Sequence, residues 1–422
     1  MGIHAGRGYI GQIMNRNTFV APHLPVMILG LCGSAMSTAA EEAGFRIGSD
    51  FPGGNIVVDG ISGDTVNLRP DLRDTKGGWF YWYFQVSGAA GRALTFNFTR
   101  DKPVGVRGPA ISTDQGMTWR WLGTEHADEK SFTYTFPEAA ENVRFSFGMP
   151  YTQAHLDRFL GGLGEDPALS REVLCKSRKG RDVERLRIGR IEGEPRHRVL
   201  VTARSHACEM MMSHTVEGII RAVLAKDTRG SWFRENVEVV VIPFVDKDGV
   251  EDGDQGKNRS PHDHNRDYDP GGLYPETQAL LRTIPAWAGG RLRIALDLHC
   301  PHIRGEVNEK IYLVGHESPA MFAKQTIFSG LIEKHRRGPL PYAVAGNVPF
   351  GTSWNTAANY KAGTSGSRWA ASIPGVEVAA TFELPYANAG GAEVNAETSR
   401  AFGDDLASAI MEQLKGTGGG GR

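Results

Sequence analysis

The stretch "HRVLVTA" (197–203) runs straight into "RSHACE" (204–209), and this junction decides the fold. Val199, Leu200 and Val201 make a short apolar run of strand length. After the polar turn, "EMMMSHTVEGIIRAVLA" (209–225) places Met212, Val216, Ile219 and Val223 at helical spacing. A buried strand that turns into a helix is the repeating unit of an α/β domain. Further central strands are expected at "VEVVVIPFV" (237–245), "RLRIALDL" (291–298) and "GVEVAATFEL" (375–384), with a closing helix at "AFGDDLASAIMEQLK" (401–415). The expected class is α/β, with a mixed, mostly parallel sheet flanked by helices. Ligands in such sheets gather at the carboxyl ends of the strands.

Upstream the pattern changes. "WFYWYFQV" (79–86), "ALTFNFT" (93–99), "SFTYTF" (131–136) and "NVRFSF" (142–147) are aromatic-rich and mostly alternate with polar residues. Leu94, Phe96 and Phe98 share one face, as do Phe132, Tyr134 and Phe136. Residues 41–150 are therefore expected to form a small antiparallel β-sandwich. Residues 151–167 read as a linker or docking helix, 168–415 as the α/β domain, and 416–422, "GTGGGGR", as a disordered tail. Residues 1–40 offer Arg16, an apolar run over 24–36 and small residues up to Ala40, the order of a secretory signal. Export to a periplasm or the outside is the expectation, with a cytoplasmic location if that segment is not a signal; Met14 is an alternative start.

Of 422 residues 40% are apolar and 23% charged, with a net charge of -1, so the chain has the makings of a core and no basic field for nucleic acid. No integral membrane span is expected in the mature chain, because the apolar run near the N-terminus is short and broken by glycine. Four cysteines, three after cleavage, do not make a disulfide scaffold. Nothing in the sequence sets an oligomeric state.

Chemistry concentrates at the expected strand ends. His206 and Glu209 are three apart, so one helical turn puts imidazole and carboxylate on the same face. His299 closes another strand in "ALDLHCPH" (295–302). Two His and one Glu leave an open fourth position on Zn²⁺, as in catalytic rather than structural sites. No H-E-x-x-H is present. The remaining polar blocks are "VIPFVDKDGVEDGDQGKNRSPHDHNRDYD" (241–269), "NYKAGTSGSRWAAS" (359–372) and "TFELPYANAGG" (381–391).

In that order the blocks resemble the M14 family of zinc carboxypeptidases over residues 168–415. The N-terminal part resembles the cytosolic carboxypeptidase subgroup through "RPDLRDTKGGWFYWYFQV" (69–86) and "FGMPYTQAHLDRFL" (147–160). The resemblance implies one Zn²⁺ per chain held by His206, Glu209 and His299, and a peptide or protein C-terminus as substrate. It implies Glu383 as the general base and Arg259 as the charge on the tetrahedral oxyanion. Asn265 and Arg266 would grip the terminal carboxylate, Tyr360 would cap the bound residue, and Asp263 would orient His206. Ser367 and Arg368 fall where the family's pocket for the C-terminal side chain lies, and an arginine there implies a preference for acidic termini.

Two other functions stay open on the sequence: a zinc amidohydrolase acting on N-acyl amino acids, and a non-catalytic peptide- or glycan-binding protein. His214, His262, His264 and His302 find no place in the pattern and are read as surface or structural. Cys208 and Cys300 each adjoin an expected ligand and are read as small buried hydrophobes, with a disulfide between them as the alternative. Asp297 is read as orienting a neighbour, with no firm role.

Overall fold

Alternating aromatic and polar residues build the N-terminal part as two sheets that face each other across a ring-filled core. In the computed structural model, which describes residues 44–417, these strands are β1 (Arg46–Gly48), β2 (Val57–Ser62), β3 (Thr65–Arg69), β4 (Tyr83–Ser87), β5 (Ala93–Phe98), β6 (Ala110–Ser112), β7 (Arg120–Trp121), β8 (Ser131–Thr135) and β9 (Asn142–Ser146). One sheet has the order β1-β4-β9-β6-β7 and the other β2-β3-β5-β8. Phe96 and Phe132 of the second meet Phe145 of the first at 5.3 and 5.4 Å between ring centroids. One pair departs from the expected antiparallel pattern. β3 and β5 run parallel, because the intervening β4 crosses to the other sheet and the chain returns in the same direction. The expected leader (1–40) lies outside the described residues. So do the last five residues of the expected tail, whereas Gly416 and Thr417 extend the final helix.

Strand β4 begins at Tyr83 rather than at Trp79 for a local reason. The amide of Tyr81 donates to Gln255 Oε1 at 2.7 Å, and Gln255 Nε2 donates to the Tyr81 carbonyl at 2.8 Å. A side-chain amide thus takes the place of a neighbouring strand and ties residues 79–82 to the second half of the chain. Asn55 Nδ2 donates to the Gly253 carbonyl at 2.7 Å, and Thr75 Oγ1 to the Lys257 carbonyl at 2.8 Å, so the whole 253–258 segment lies against the N-terminal sheets.

The second part carries β10 (Leu169–Lys176), β11 (Asp182–Gly189), β12 (His197–Ala203), β13 (Val237–Ile242), β14 (Leu292–His299), β15 (Tyr312–Val314) and β16 (Val378–Glu383) in the order β10-β11-β13-β12-β14-β16-β15. The central pairs β13–β12, β12–β14 and β14–β16 are parallel, and the pairs outside them are antiparallel. Burial on both faces explains why β12, β13, β14 and β16 read as apolar runs. Their carboxyl ends, at Ala203, Ile242, His299 and Glu383, share one edge of the sheet. No helix among the described residues is long and apolar enough to cross a membrane.

Helix Met211–Val223 follows the turn that bears His206 and Glu209, and it crosses helix Ala396–Thr417 at very short range. A Cβ on Gly218 would sit 2.0 Å from the Arg400 carbonyl oxygen, and one on Gly403 would sit 2.1 Å from that of Thr215. Two glycines therefore let the backbones touch where any side chain would hold them apart. Ala at either position should destabilise the fold despite its better helix propensity. Overpacking costs about 1–3 kcal/mol, against the ~1 kcal/mol that a helical Gly→Ala change gains. A lowered urea midpoint for Gly218→Ala and Gly403→Ala is the expected result; a raised midpoint would contradict it.

Candidate active site

At the end of β12 the chain turns on Arg204, whose φ is 61°. Its buried guanidinium donates to the carbonyls of Ala207 and Tyr151 at 3.0 and 2.9 Å and fixes the turn from inside. The Glu209 amide then bonds the His206 carbonyl at 3.2 Å, so the expected one-turn spacing is met in a turn before the helix proper. Gly256, with φ of +75°, passes this turn so closely that a Cβ would lie 2.2 Å from the Ala207 nitrogen. His299 ends β14 and pairs in register with Glu383, which ends β16.

These elements bring three side chains together. His206 Nδ1 lies 2.9 Å from Glu209 Oε1, His299 Nδ1 lies 2.8 Å from Glu209 Oε2, and the two Nδ1 atoms are 3.2 Å apart. One donor atom from each residue fits within 4.8 Å of the others, the spacing of a shared ion. The far nitrogens are held too. His206 Nε2 lies 3.6 Å from Asp263 and His299 Nε2 lies 2.9 Å from Asp297. A carboxylate thus stands behind each imidazole, the arrangement that around protein-bound zinc orients the ligating ring. The residues present therefore fit a zinc ion bound through His206, Glu209 and His299, and Asp297 gains the orienting partner that its sequence left unnamed.

His206 and His299 line a cleft of about 420 Å³ together with Glu383, and Glu209 is buried behind them. Glu383 is 7% exposed, and its Oε2 has no hydrogen-bond partner in the protein. Burial, and then the negative charge of Glu209, push its carboxyl up to about 7. Asn265, Arg266 and Tyr360 also line the cleft. Asn265 Oδ1 accepts from the Gly366 amide at 3.1 Å. Arg266 is anchored by donating to the carbonyls of Asn359 and Asn265 at 2.9 and 2.6 Å. Tyr360 donates to Asn355 Oδ1 at 3.0 Å.

Two expected site residues lie elsewhere. Arg259 does not line the cleft. Its guanidinium is 6% exposed and is enclosed by Asp246 at 2.7 Å, Asp254 at 2.8 Å and Asp74 at 3.0 Å. Three carboxylates engage that charge in this structure, where Arg259 forms an ionic cross-link rather than facing the cleft. Arg368 is likewise outside the lining. It pairs with Glu317 at 2.9 Å and lies over the Tyr360 ring at 3.4 Å from the centroid.

Lys257, which sequence reasoning passed over, does line the cleft, with its Nζ 2.7 Å from Glu209 Oε1. His302 and Trp79 are also on its wall, Trp79 coming from the N-terminal part. The signal for Lys257 was its place two residues before Arg259 in one irregular loop, where no periodicity tells which side chain faces inward. His214 and His264 are buried, at 4% and 2% exposure. Cys208 and Cys300 are buried free thiols, so the alternative disulfide is not formed, and Cys208 Sγ lies 3.6 Å from Tyr386 Oη.

Residues 158–287 match the zinc carboxypeptidase family, Peptidase_M14. The chain is 24% identical to cytosolic carboxypeptidase 3 of Bos taurus over 313 residues, covering 64% of this chain and 30% of that protein. It is 27% identical to cytosolic carboxypeptidase 6 of Caenorhabditis elegans over 244 residues, covering 52% of this chain and 53% of the relative. The chain thus spans 30% and 53% of the length of these two relatives. A metallo-carboxypeptidase from Burkholderia cenocepacia has a similar structure, with a TM-score of 0.71, 22% identity and coverage of 88% of this chain and 99% of that one. One from Pseudomonas aeruginosa gives a TM-score of 0.70 at 19% identity, covering 88% and 99%. The fold, strand-rich part included, is that of these structures.

Burial pulls both imidazoles toward the neutral form, but the facing carboxylates outweigh it. Glu209 and Asp263 raise His206, and Asp297 and Glu209 raise His299 well above the usual range. A raised pKa keeps the proton on to higher pH, and an ion must displace it. Zinc affinity should therefore fall as pH falls, about tenfold per pH unit for each displaced proton. Competition with a chromophoric chelator between pH 5.5 and 8 reads this directly, and an affinity that ignores pH would contradict it.

Proposed function

We propose that this chain, which carries a zinc carboxypeptidase domain of the M14 family, is a metallocarboxypeptidase that hydrolyses the C-terminal peptide bond of peptides or proteins. The observation that carries the reading is Glu383: a buried carboxylate with one unpartnered oxygen, on the cleft wall beside a complete His–Glu–His set. When bound, the ion supplies Lewis-acid polarisation of the scissile carbonyl and acidifies a water toward neutral pH.

The protein's own groups do the rest. Asn265 and the Arg266 fork receive the terminal carboxylate, since a guanidinium can give it two parallel charged hydrogen bonds. Tyr360 stands over the bound residue. Glu383 takes the water proton and passes it to the leaving amine, and its raised pKa suits both transfers. Asp263 and Asp297 keep the two imidazoles in one tautomer and orientation.

The acidic-terminus preference expected from Arg368 draws no support from this geometry. That guanidinium is engaged with Glu317 and Tyr360, outside the lining. Apart from Arg266, which lies 5.0 Å from the Tyr360 ring and is assigned to the terminal carboxylate, the lining includes the uncharged Val314, Trp354, Ser365 and Thr381. We therefore assign the terminal side-chain site to an uncharged residue, because a carboxylate left there without a partner would keep its desolvation cost.

Glu383→Gln should lower kcat by about 10²–10⁴ while zinc content stays at the wild-type level. Turnover unchanged by that substitution would point to another base. An N-acyl amino acid cleaved in preference to peptides would favour the amidohydrolase reading instead. In a peptide series varied only at the last residue, neutral termini should be released at least ~10-fold faster than Glu. Fastest release of Glu would restore Arg368 as the determinant.

A further inference from the structure

The cleft holds two Lys or Arg side chains among the described residues, Arg266 and Lys257. Arg266 has a use in the function proposed above; Lys257 has none. Its side chain is 12% exposed. The ammonium lies 2.7 Å from Glu209 Oε1 and donates to the Cys300 carbonyl at 3.2 Å. An ammonium has three N–H bonds, so these two contacts leave one over, and Lys257 lines the same cleft as His206, His299 and Glu383. Arg259 is sequestered by three aspartates, which leaves Lys257 as the cation at this end of the cleft.

Peptide hydrolysis builds negative charge on the carbonyl oxygen as water adds. A fixed donor at that place is worth more than one in water, since the site is partly dry and needs no reorganisation. The lysine is also firmly placed. Thr75 Oγ1 holds its carbonyl at 2.8 Å, and the Lys76 amide holds that of Asn258 at 3.3 Å. The Trp79 ring lies 5.2 Å from Nζ and is pinned by its own Nε1 donating to the Lys76 carbonyl at 3.1 Å. All three residues come from the N-terminal part.

We propose that Lys257 supplies the positive charge that stabilises the carbonyl oxygen in the transition state, and that Trp79, in the loop before β4 of the N-terminal part, is its positioning residue. The inference rests on the metallocarboxypeptidase reading. It makes the strand-rich part a component of the catalytic apparatus, because the loop at 75–79 sets where the ammonium sits.

The test uses the full chain loaded with zinc. Lys257→Met should lower kcat by about 10²–10³ with KM and zinc stoichiometry unchanged. A peptide phosphonate, which presents a tetrahedral anion, should bind that variant weaker by a similar factor, while a product peptide binds as before. Lys257→Arg should recover part of kcat, and added ethylammonium should partly rescue Lys257→Ala. Trp79→Leu should lower kcat at constant KM, and Trp79→Phe should restore most of it. Unchanged kcat in Lys257→Met overturns the proposal. So does a loss matched by loss of zinc, which would make the lysine a counter-charge to Glu209 only. A wild-type enzyme that releases no C-terminal residue, while its phosphonate affinity is indifferent to Lys257, would overturn the function and the inference together.

Discussion

Everything at this site depends on one fully buried carboxylate. Glu209 has no exposed surface, and an ionised carboxylate without partners in such a place would be prohibitively costly. It is tolerated because both oxygens are engaged: Oε1 faces His206 and Lys257, and Oε2 faces His299. Burial alone would raise its pKa, yet the charges of Lys257, His206 and His299 hold it well below the carboxylate range. Each partner must then be delivered by a rigid element, since a shift of an ångström would leave the charge uncompensated. Strand β14 delivers His299, the Arg204-braced turn delivers His206 and Glu209, and the 253–258 segment delivers Lys257.

That last segment has no regular secondary structure, and its rigidity is borrowed. Gln255, Gly253, Lys257 and Asn258 are hydrogen-bonded by Tyr81, Asn55, Thr75 and Lys76 respectively. The two parts of the chain are thus joined through hydrogen bonds to backbone groups along a segment that reaches the cleft at Lys257 and Asn258, where loops in other α/β domains are often mobile. The Asp74–Arg259 contact and the Arg73–Asp254 pair at 2.5 Å add charged links along the same seam.

How far the sequence could be read follows from what each residue's environment depends on. Strands β12, β13, β14 and β16 were legible because burial on both faces imposes apolar runs, and β5 and β8 because a half-buried strand alternates. Strands β10 and β11 were not. They form an outer hairpin whose exposed side carries an ion ladder of Glu172 with Arg185 and Arg187, so their pattern reads as a polar loop. His206, Glu209 and His299 were legible because a strand end plus a fixed spacing predicts a direction. Arg259 and Lys257 differ only in which way an irregular loop turns. That turn is set by Gly256 and Asn258 at positive φ and by Asp74, 185 positions away in the chain. No local pattern encodes a partner at that distance.

The charges around the cleft suit a dication. Four carboxylates meet here: Glu209, Asp263, Asp297 and Glu383. Two permanent side-chain cations face them, Lys257 and Arg266, and the imidazoles are neutral when they act as ligands. The cluster is short by two positive charges, and protons on His206 and His299 make up that deficit when no ion is bound. This explains why both histidines are raised despite complete burial. Glu383 is raised although it stands among cations, because burial disfavours its charge and Glu209 then opposes it. A divalent ion replacing the two protons would leave the cluster neutral with Glu383 ionised, the state in which a carboxylate can accept a proton from water.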